Sequence, residues 1–445
     1  MKYEFKTNEL RRKERNNEFE LEYNFKNILS SDLQPRYNNF TNYYQSYDYP
    51  MTFFEVIITS FSIGLKNFGT LPDKHEQIFK YYVLQRKLIT ERTYFNIYSL
   101  SSIIPAATMV QLIGQIIIIK TKNYFYSFFG ILFFILPGII FCSFLGFLLE
   151  IYLKDFLNYS EKVNYIEIGF EQCALSLILD YLIEQSSKIS NSNFQIGLVV
   201  ISSIVILISN NFLTIIIALL IFGFLSMRNR ESEFLLEKAN SDIINSIQEI
   251  NSFWFYLNIL LYFGIGIFLY SFYKNYLYFK LYIIGSSVFV DYSVINYFQS
   301  LFFKEKNFKS DNLLFSFGIM SLCQGQSFNM INIIMIKEGI FDLLKTIGFI
   351  YLPSFFFGFY GINAINYFND NPDIQFFLKG VKTSSIGLVV ALVPNLFWEC
   401  CIKNEKYNFI FGILIILNGL FWFRKQKFWI GYISCILCSF IISFF

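Results

Sequence analysis

Residues 97–119, IYSLSSIIPAATMVQLIGQIIII, and 123–149, NYFYSFFGILFFILPGIIFCSFLGFLL, carry no acidic or basic side chain. As a helix, each run is long enough to cross the roughly 30 Å apolar layer of a bilayer. Each also carries a helix breaker. The first holds Pro105-Ala106-Ala107-Thr108, followed by Gln111 and Gly114, and the second holds Leu136-Pro137-Gly138. A proline inside a spanning helix frees a backbone carbonyl, which a membrane tolerates only where protein or a water-lined cavity satisfies it. Broken helices of this kind are where secondary transporters place their substrate sites.

The rest of the composition agrees with a membrane setting. Of 445 residues, 54% are hydrophobic and 16% charged, with 57 Phe and 31 Tyr. A soluble domain of this size would leave large apolar patches exposed. The net charge of +3 implies no nucleic-acid partner. His75 is the sole histidine, and no His/Cys cluster has metal-ligand spacing, so neither a metal nor another cofactor is expected. No nucleophile–base pair stands out, and the chain reads as a non-enzyme. The spacing Cys435-x-x-Cys438 sits in an uncharged terminal run, where cysteine packs as a small hydrophobe.

Outward from the opening stretch, the chain divides into four parts. Residues 1–50 are polar and charged, with no apolar core after Arg11-Arg12-Lys13, and read as a disordered cytosolic tail rather than a secretory signal. Residues 51–227 form a first half. It starts with a moderately apolar helix, 51–69, and an amphipathic segment, 73–96, with Thr90 as an N-cap. Its charge-free run 189–227 is too long for one crossing and reads as a hairpin turning at Ser209-Asn210-Asn211. Residues 228–273 form a charged linker plus an extra span, and 274–445 form a second half. An all-α polytopic protein with about 10–13 transmembrane segments is expected.

The two halves follow one plan. Pro137 and Pro353 lie 216 residues apart, each in a Leu-Pro motif of a Phe-rich span, and Gly69 and Gly285 share that offset. Gly169-Phe170-Glu171 answers Gly380-Val381-Lys382, and Pro105-Ala106-Ala107 answers Gln324-Gly325-Gln326. Both halves end in a short hairpin. With one extra span between them, inverted repeats are expected. Matched halves with broken helices point to a transporter, and a duplicated, non-transporting membrane scaffold is the alternative.

The order of these motifs resembles the chromate transporter family over about residues 51–445. Phe68-Gly69-Thr70 stands at that family's Phe-Gly-Gly turn. Arg86-Lys87-Leu88-Ile89-Thr90-Glu91 is similar to its basic, capped segment, and Pro105-Ala106-Ala107 stands at its Pro-Gly-Pro motif. Pro137 and Pro353 match its Leu-Pro motif. Only the first proline of Pro-Gly-Pro survives in the first half and only the glycine, Gly325, in the second. The resemblance implies secondary transport of an oxyanion of the chromate or sulfate type, coupled to protons or exchange. It also implies a multi-pass protein of the plasma membrane, with an organellar membrane as the alternative, and a homodimer is compatible with it.

Tetrahedral dianions need N–H donors and positive potential away from bulk water, and the N-termini of broken helices supply both. Pro105, Ala106, Ala107 and Thr108 are therefore expected to meet Gln324, Gly325, Gln326 and Ser327 near the midplane. Thr108, Gln111, Gln326, Ser327 and Asn329 would add neutral donors. Helix–helix hydrogen bonding is the alternative for each of them. Glu171 and Lys382 are expected as a gating or coupling pair, or else as border charges that snorkel. Phe68, Gly69, Pro137, Gly169, Gly285, Pro353 and Gly380 are the structural motif. Lys66, Arg86 and Lys304 would draw anions to the entrance, or are simply solvated.

Overall fold

The computed structural model describes residues 51–66, 75, 77–148, 161–189, 192–208, 212–229, 252–272, 277–288, 293–295, 297–298, 316–318, 320, 340–398, 401, 409–425 and 428–442. The expectations for the tail 1–50, Phe68, Gly69, Lys304, Gln324, Gly325, Gln326, Ser327 and Asn329 lie outside the described residues. Among the described residues there is no strand.

The N-terminal half supplies α1 (Phe53–Lys66), a π-helical turn (Lys80–Gln85), α2 (Glu91–Ile103), α3 (Thr108–Thr121), α4 (Tyr124–Leu148), α5 (Glu161–Ile189), α6 (Asn193–Ile208) and α7 (Phe212–Asn229). Between the two halves lies α8 (Ser252–Phe272). The C-terminal half supplies α9 (Leu277–Ser287), α10 (Ile340–Asp370), α11 (Pro372–Phe397), α12 (Phe409–Arg424) and α13 (Phe428–Ile442). Thr90 caps α2 as expected, its Oγ1 accepting from the Thr93 N–H at 3.2 Å.

By length and composition, Tyr124–Leu148, Phe341–Phe359 and Asp373–Phe397 are able to cross a bilayer. The outer faces suit lipid: Phe125 and Phe144 on α4, Leu260 and Ile267 on α8, and Leu414 on α12 are all more than half exposed. Neither Leu-Pro motif interrupts its helix. α4 runs on through Pro137 and α10 through Pro353, contrary to the sequence expectation. A proline removes one ladder bond, and the close packing of α1 on α4 and of α9 on α10 beside each proline carries the helix past it.

That packing is the same in both halves. α1 lies on α4, and α9 lies on α10. A Cβ at Gly64 would strike the Phe134 carbonyl oxygen and stand 3.2 Å from Pro137 Cγ. A Cβ at Gly285 would strike the Ile350 carbonyl oxygen and stand 3.3 Å from Pro353 Cγ. In each half a glycine lets one helix press its backbone onto the carbonyl row beside the proline. The counterpart of Gly285 is therefore Gly64, not Gly69. The prolines are offset by 216 residues and these glycines by 221, so the loops between them differ by five residues.

The long helices exchange partners. α5, from the N-terminal half, packs on α12 and α13, and α11, from the C-terminal half, packs on α6 and α7. Gly169 of α5 faces Ser439 of α13, a Cβ there lying 3.0 Å from Ser439 Cβ. Gly380 of α11 faces Ser226 of α7 in the same way. One hydrogen bond recurs with its partners reversed. Ser176 Oγ of α5 donates to the Ile416 carbonyl of α12 at 3.0 Å, opposite Gly419. Ser202 Oγ of α6 donates to the Ser384 carbonyl of α11 at 3.0 Å, opposite Gly387. Small residues let these backbones approach, which is how helices associate without a water-driven force.

Candidate functional site

The charge-free run 97–119 is not a crossing. Ser101 Oγ of α2 donates to Gln115 Oε1 of α3 at 3.3 Å. In an unbroken helix two residues this far apart would be separated by about 21 Å. α2 and α3 therefore fold back on each other, with Ile104–Ala107 as the tip. α3 has 14 residues, about 21 Å of helix, too short for the apolar layer. Residues Met109 to Ile118 are all buried. Lys122, at φ 54°, then turns the chain into α4, and Ser127 Oγ of α4 donates to the Gly114 carbonyl at 2.9 Å. Residues 97–119 form a re-entrant helical hairpin.

Two groups of the C-terminal half hold its tip. The Ala106 N–H donates to the Val288 carbonyl, just past α9, at 2.7 Å. The Ala107 N–H donates to Ser354 Oγ of α10 at 3.2 Å, one residue beyond Pro353. Ala106 has φ 92°, a backbone conformation natural to glycine and strained for alanine. It occupies the glycine position of the Pro-Gly-Pro motif that the sequence resembles. The strain persists because both flanking N–H bonds fix the turn.

Ala107 is the N-cap of α3 and offers no side-chain cap. The Val110 and Gln111 amides close onto the Ala107 carbonyl at 3.1 Å. The Thr108 and Met109 amides remain at the positive end of the helix dipole, where an anion is stabilised. Thr108 is half-buried, and Ala106 and Ala107 are each 1% exposed.

Gln111 departs from the expectation that it donates to an anion. Its Nε2 donates to the Pro105 carbonyl at 2.7 Å and approaches the Ile104 carbonyl at 3.4 Å. The tip turn exposes those carbonyls inside the protein, and the amide one turn further on is the nearest donor. Gln111 Oε1 is buried with no hydrogen-bond partner among the described residues.

Glu171 and Lys382 stand at matched positions, each two residues beyond a matched glycine contact. Glu171 is buried on α5, close enough to Cys401 for its charge to act on that thiol, while Lys382 is half-buried on α11. α5 and α11 touch one another as well as their exchanged partners. Of the expected entrance cations, Lys66 is exposed at the end of α1. Arg86 is not a lone charge: its Nε donates to Tyr81 Oη at 3.2 Å, and its Nη1 stands 4.0 Å from Glu55 Oε1.

Sequence reasoning missed Ser354 and Val288 as seats for the tip. One signal for Ser354 was available. The first half reads Leu136-Pro137-Gly138 and the second Leu352-Pro353-Ser354, so one repeat carries a hydroxyl that the other lacks.

The family model that matches this chain is described as Chromate transporter, over residues 54–226 and again over 276–442. No curated protein and no solved structure matches it.

Proposed function

The chain belongs to the chromate transporter family, and from that premise we propose that it is a secondary active carrier of a tetrahedral inorganic oxyanion, chromate or sulfate. It is an integral membrane ion transporter, with the bilayer and an anion as its partners. The observation that carries the finer reading is the tip Pro105–Ala107, with Ala106 and Ala107 buried. A helix N-terminus without a side-chain cap is held inside the protein by groups of the other half. This is how a membrane protein offers N–H groups and positive potential to an anion without bulk water. By repeat symmetry Gln324, Gly325, Gln326, Ser327 and Asn329 are the counterparts of this tip and supply the opposing donors. The halves are taken as inverted repeats, which lets the two tips open to opposite sides in turn. Glu171, with Lys382 at the matched position, is the coupling element in proton-driven transport or exchange. A plasma-membrane homodimer completes this reading.

A non-transporting scaffold is the second reading. What favours it is closure: Ala106, Ala107 and Gln111 are shut off from solvent. The first reading takes the same closure as the occluded state of alternating access. Uptake of labelled chromate and sulfate into proteoliposomes, with and without a pH gradient, separates the two. Saturable uptake that Pro105→Leu and Gly325→Leu both abolish is expected. Folded protein that moves neither anion under any gradient rules out the carrier reading.

A further inference from the structure

We propose that the tip takes its oxyanion in the singly protonated form, a hydrogen-oxyanion monoanion; the inference rests on the oxyanion-carrier reading and specifies its substrate. Gln111 carries the argument. Two carbonyls, of Pro105 and Ile104, face one end of its amide, so that end is the NH₂ group and the other is an acceptor. The two ends of an amide are about 2.3 Å apart, which places Oε1 within about 5 Å of the Pro105 carbonyl, at the tip. Among the described residues Oε1 is buried and has no donor. A bare dianion offers only acceptors and would repel it. A hydrogen oxyanion brings the missing O–H.

The same ion suits the rest of the tip. The Thr108 and Met109 amides and the Ser354 hydroxyl proton remain to serve its unprotonated oxygens. Charge points the same way. The desolvation cost of an ion rises with the square of its charge, so a monoanion enters a dry site far more readily than a dianion. The helices that carry these groups bring no lysine beside the tip. Lys120 on α3, Lys280 on α9 and Lys345 on α10 each stand about two turns or more along their helices from Gln111, Val288 and Ser354.

The titration behind the effect belongs to the substrate. The helices packed on α3 are α2, α4 and α10. Their acidic residues, Glu91, Asp342 and Asp370, lie about three turns or more from the tip along their helices. The other ionisable side chains on these helices include the Tyr94, Tyr98, Tyr126 and Tyr351 phenols and the Cys142 thiol.

The test is equilibrium binding to the purified full-length protein in detergent, across the pH range in which chromate gains its proton. Chromate is compared with sulfate, which stays a dianion, and with methyl sulfate, a monoanion without an O–H. Chromate's apparent affinity should fall about tenfold per pH unit above its own acid constant, with sulfate and methyl sulfate weak throughout. Gln111→Met, checked for folding by size exclusion, should flatten that slope. If chromate binds equally at every pH, or methyl sulfate binds as well as acid chromate, the protonated-substrate proposal is overturned and the carrier reading stands. If none of the three binds, both fail.

Discussion

The joint of glycine against a proline-bearing helix is built twice in this protein, and the residue that follows the proline differs between the two halves. Gly64 on α4 and Gly285 on α10 make the same approach to a carbonyl, beside prolines at a common offset. Position 354, which holds the Ala107 amide, is serine, and its counterpart at position 138 is glycine. Packing requirements have kept the duplicated joint, because backbone contact leaves no room for a side chain. Hydrogen bonding sets the two positions apart, because the hydroxyl at 354 satisfies the Ala107 amide and glycine at 138 offers none. The repeat supplies the frame, and the departures from the repeat supply the chemistry.

The strongest way to break this comparison is at the joint. Gly64→Val and Gly285→Val should each destabilise by about 3 kcal/mol or more, because the added carbons meet backbone rather than a movable side chain. Monodisperse yield and thermal unfolding in detergent would report it. One variant behaving like the parent would show that the two joints are not equivalent. Next in size is Ser354→Ala, which strands a buried amide and should cost about 1–3 kcal/mol, with uptake lost while the protein remains folded. Gly138→Ser changes no described hydrogen bond and should leave unfolding close to that of the parent. Equal effects of the two would erase the asymmetry between positions 138 and 354. Ala106→Gly should stabilise by about 1 kcal/mol, because glycine relaxes the strained φ of 92°. No gain in unfolding temperature would mean that the turn is not strained. The smallest effects belong to the exchanged interfaces. Ser176→Ala and Ser202→Ala should each cost about 0.6 kcal/mol, and by similar amounts, since each removes the same bond from one of two related contacts.

Much of the frame was legible in the sequence. Charge-free runs must be helices inside the bilayer, and paired Leu-Pro motifs at one offset declare a repeat. The re-entrant hairpin was not legible, because a run buried in protein and a run crossing lipid are equally free of charge. Its signature was polar: Ser101 and Gln115 need one another, and only a fold-back brings them together. Gly69 drew attention as part of a motif, whereas the physical requirement is for a glycine facing a proline-adjacent carbonyl, and Gly64 meets it. Gln111 was recognised as important, but its donors serve the turn that Pro105 creates. A lone polar residue in an apolar helix reveals a need for a partner without revealing which partner. Ser354 could be read only as a difference between repeats, and a difference says nothing about use until the tip is in place.

The exchange of long helices has a consequence for how the molecule is made. α6 and α7 leave the ribosome long before α11, the helix they hold. α5 leaves earlier still, and its partners, α12 and α13, are made last. Until then the Ser176 and Ser202 hydroxyls and the glycine faces of both interfaces must wait in lipid without their partners. The N-terminal half is thus an incomplete product for most of its synthesis. A chain stopped before α12 would fail in α5, far upstream of the missing residues, and it would present to the cell's membrane surveillance the polar groups that the finished protein hides.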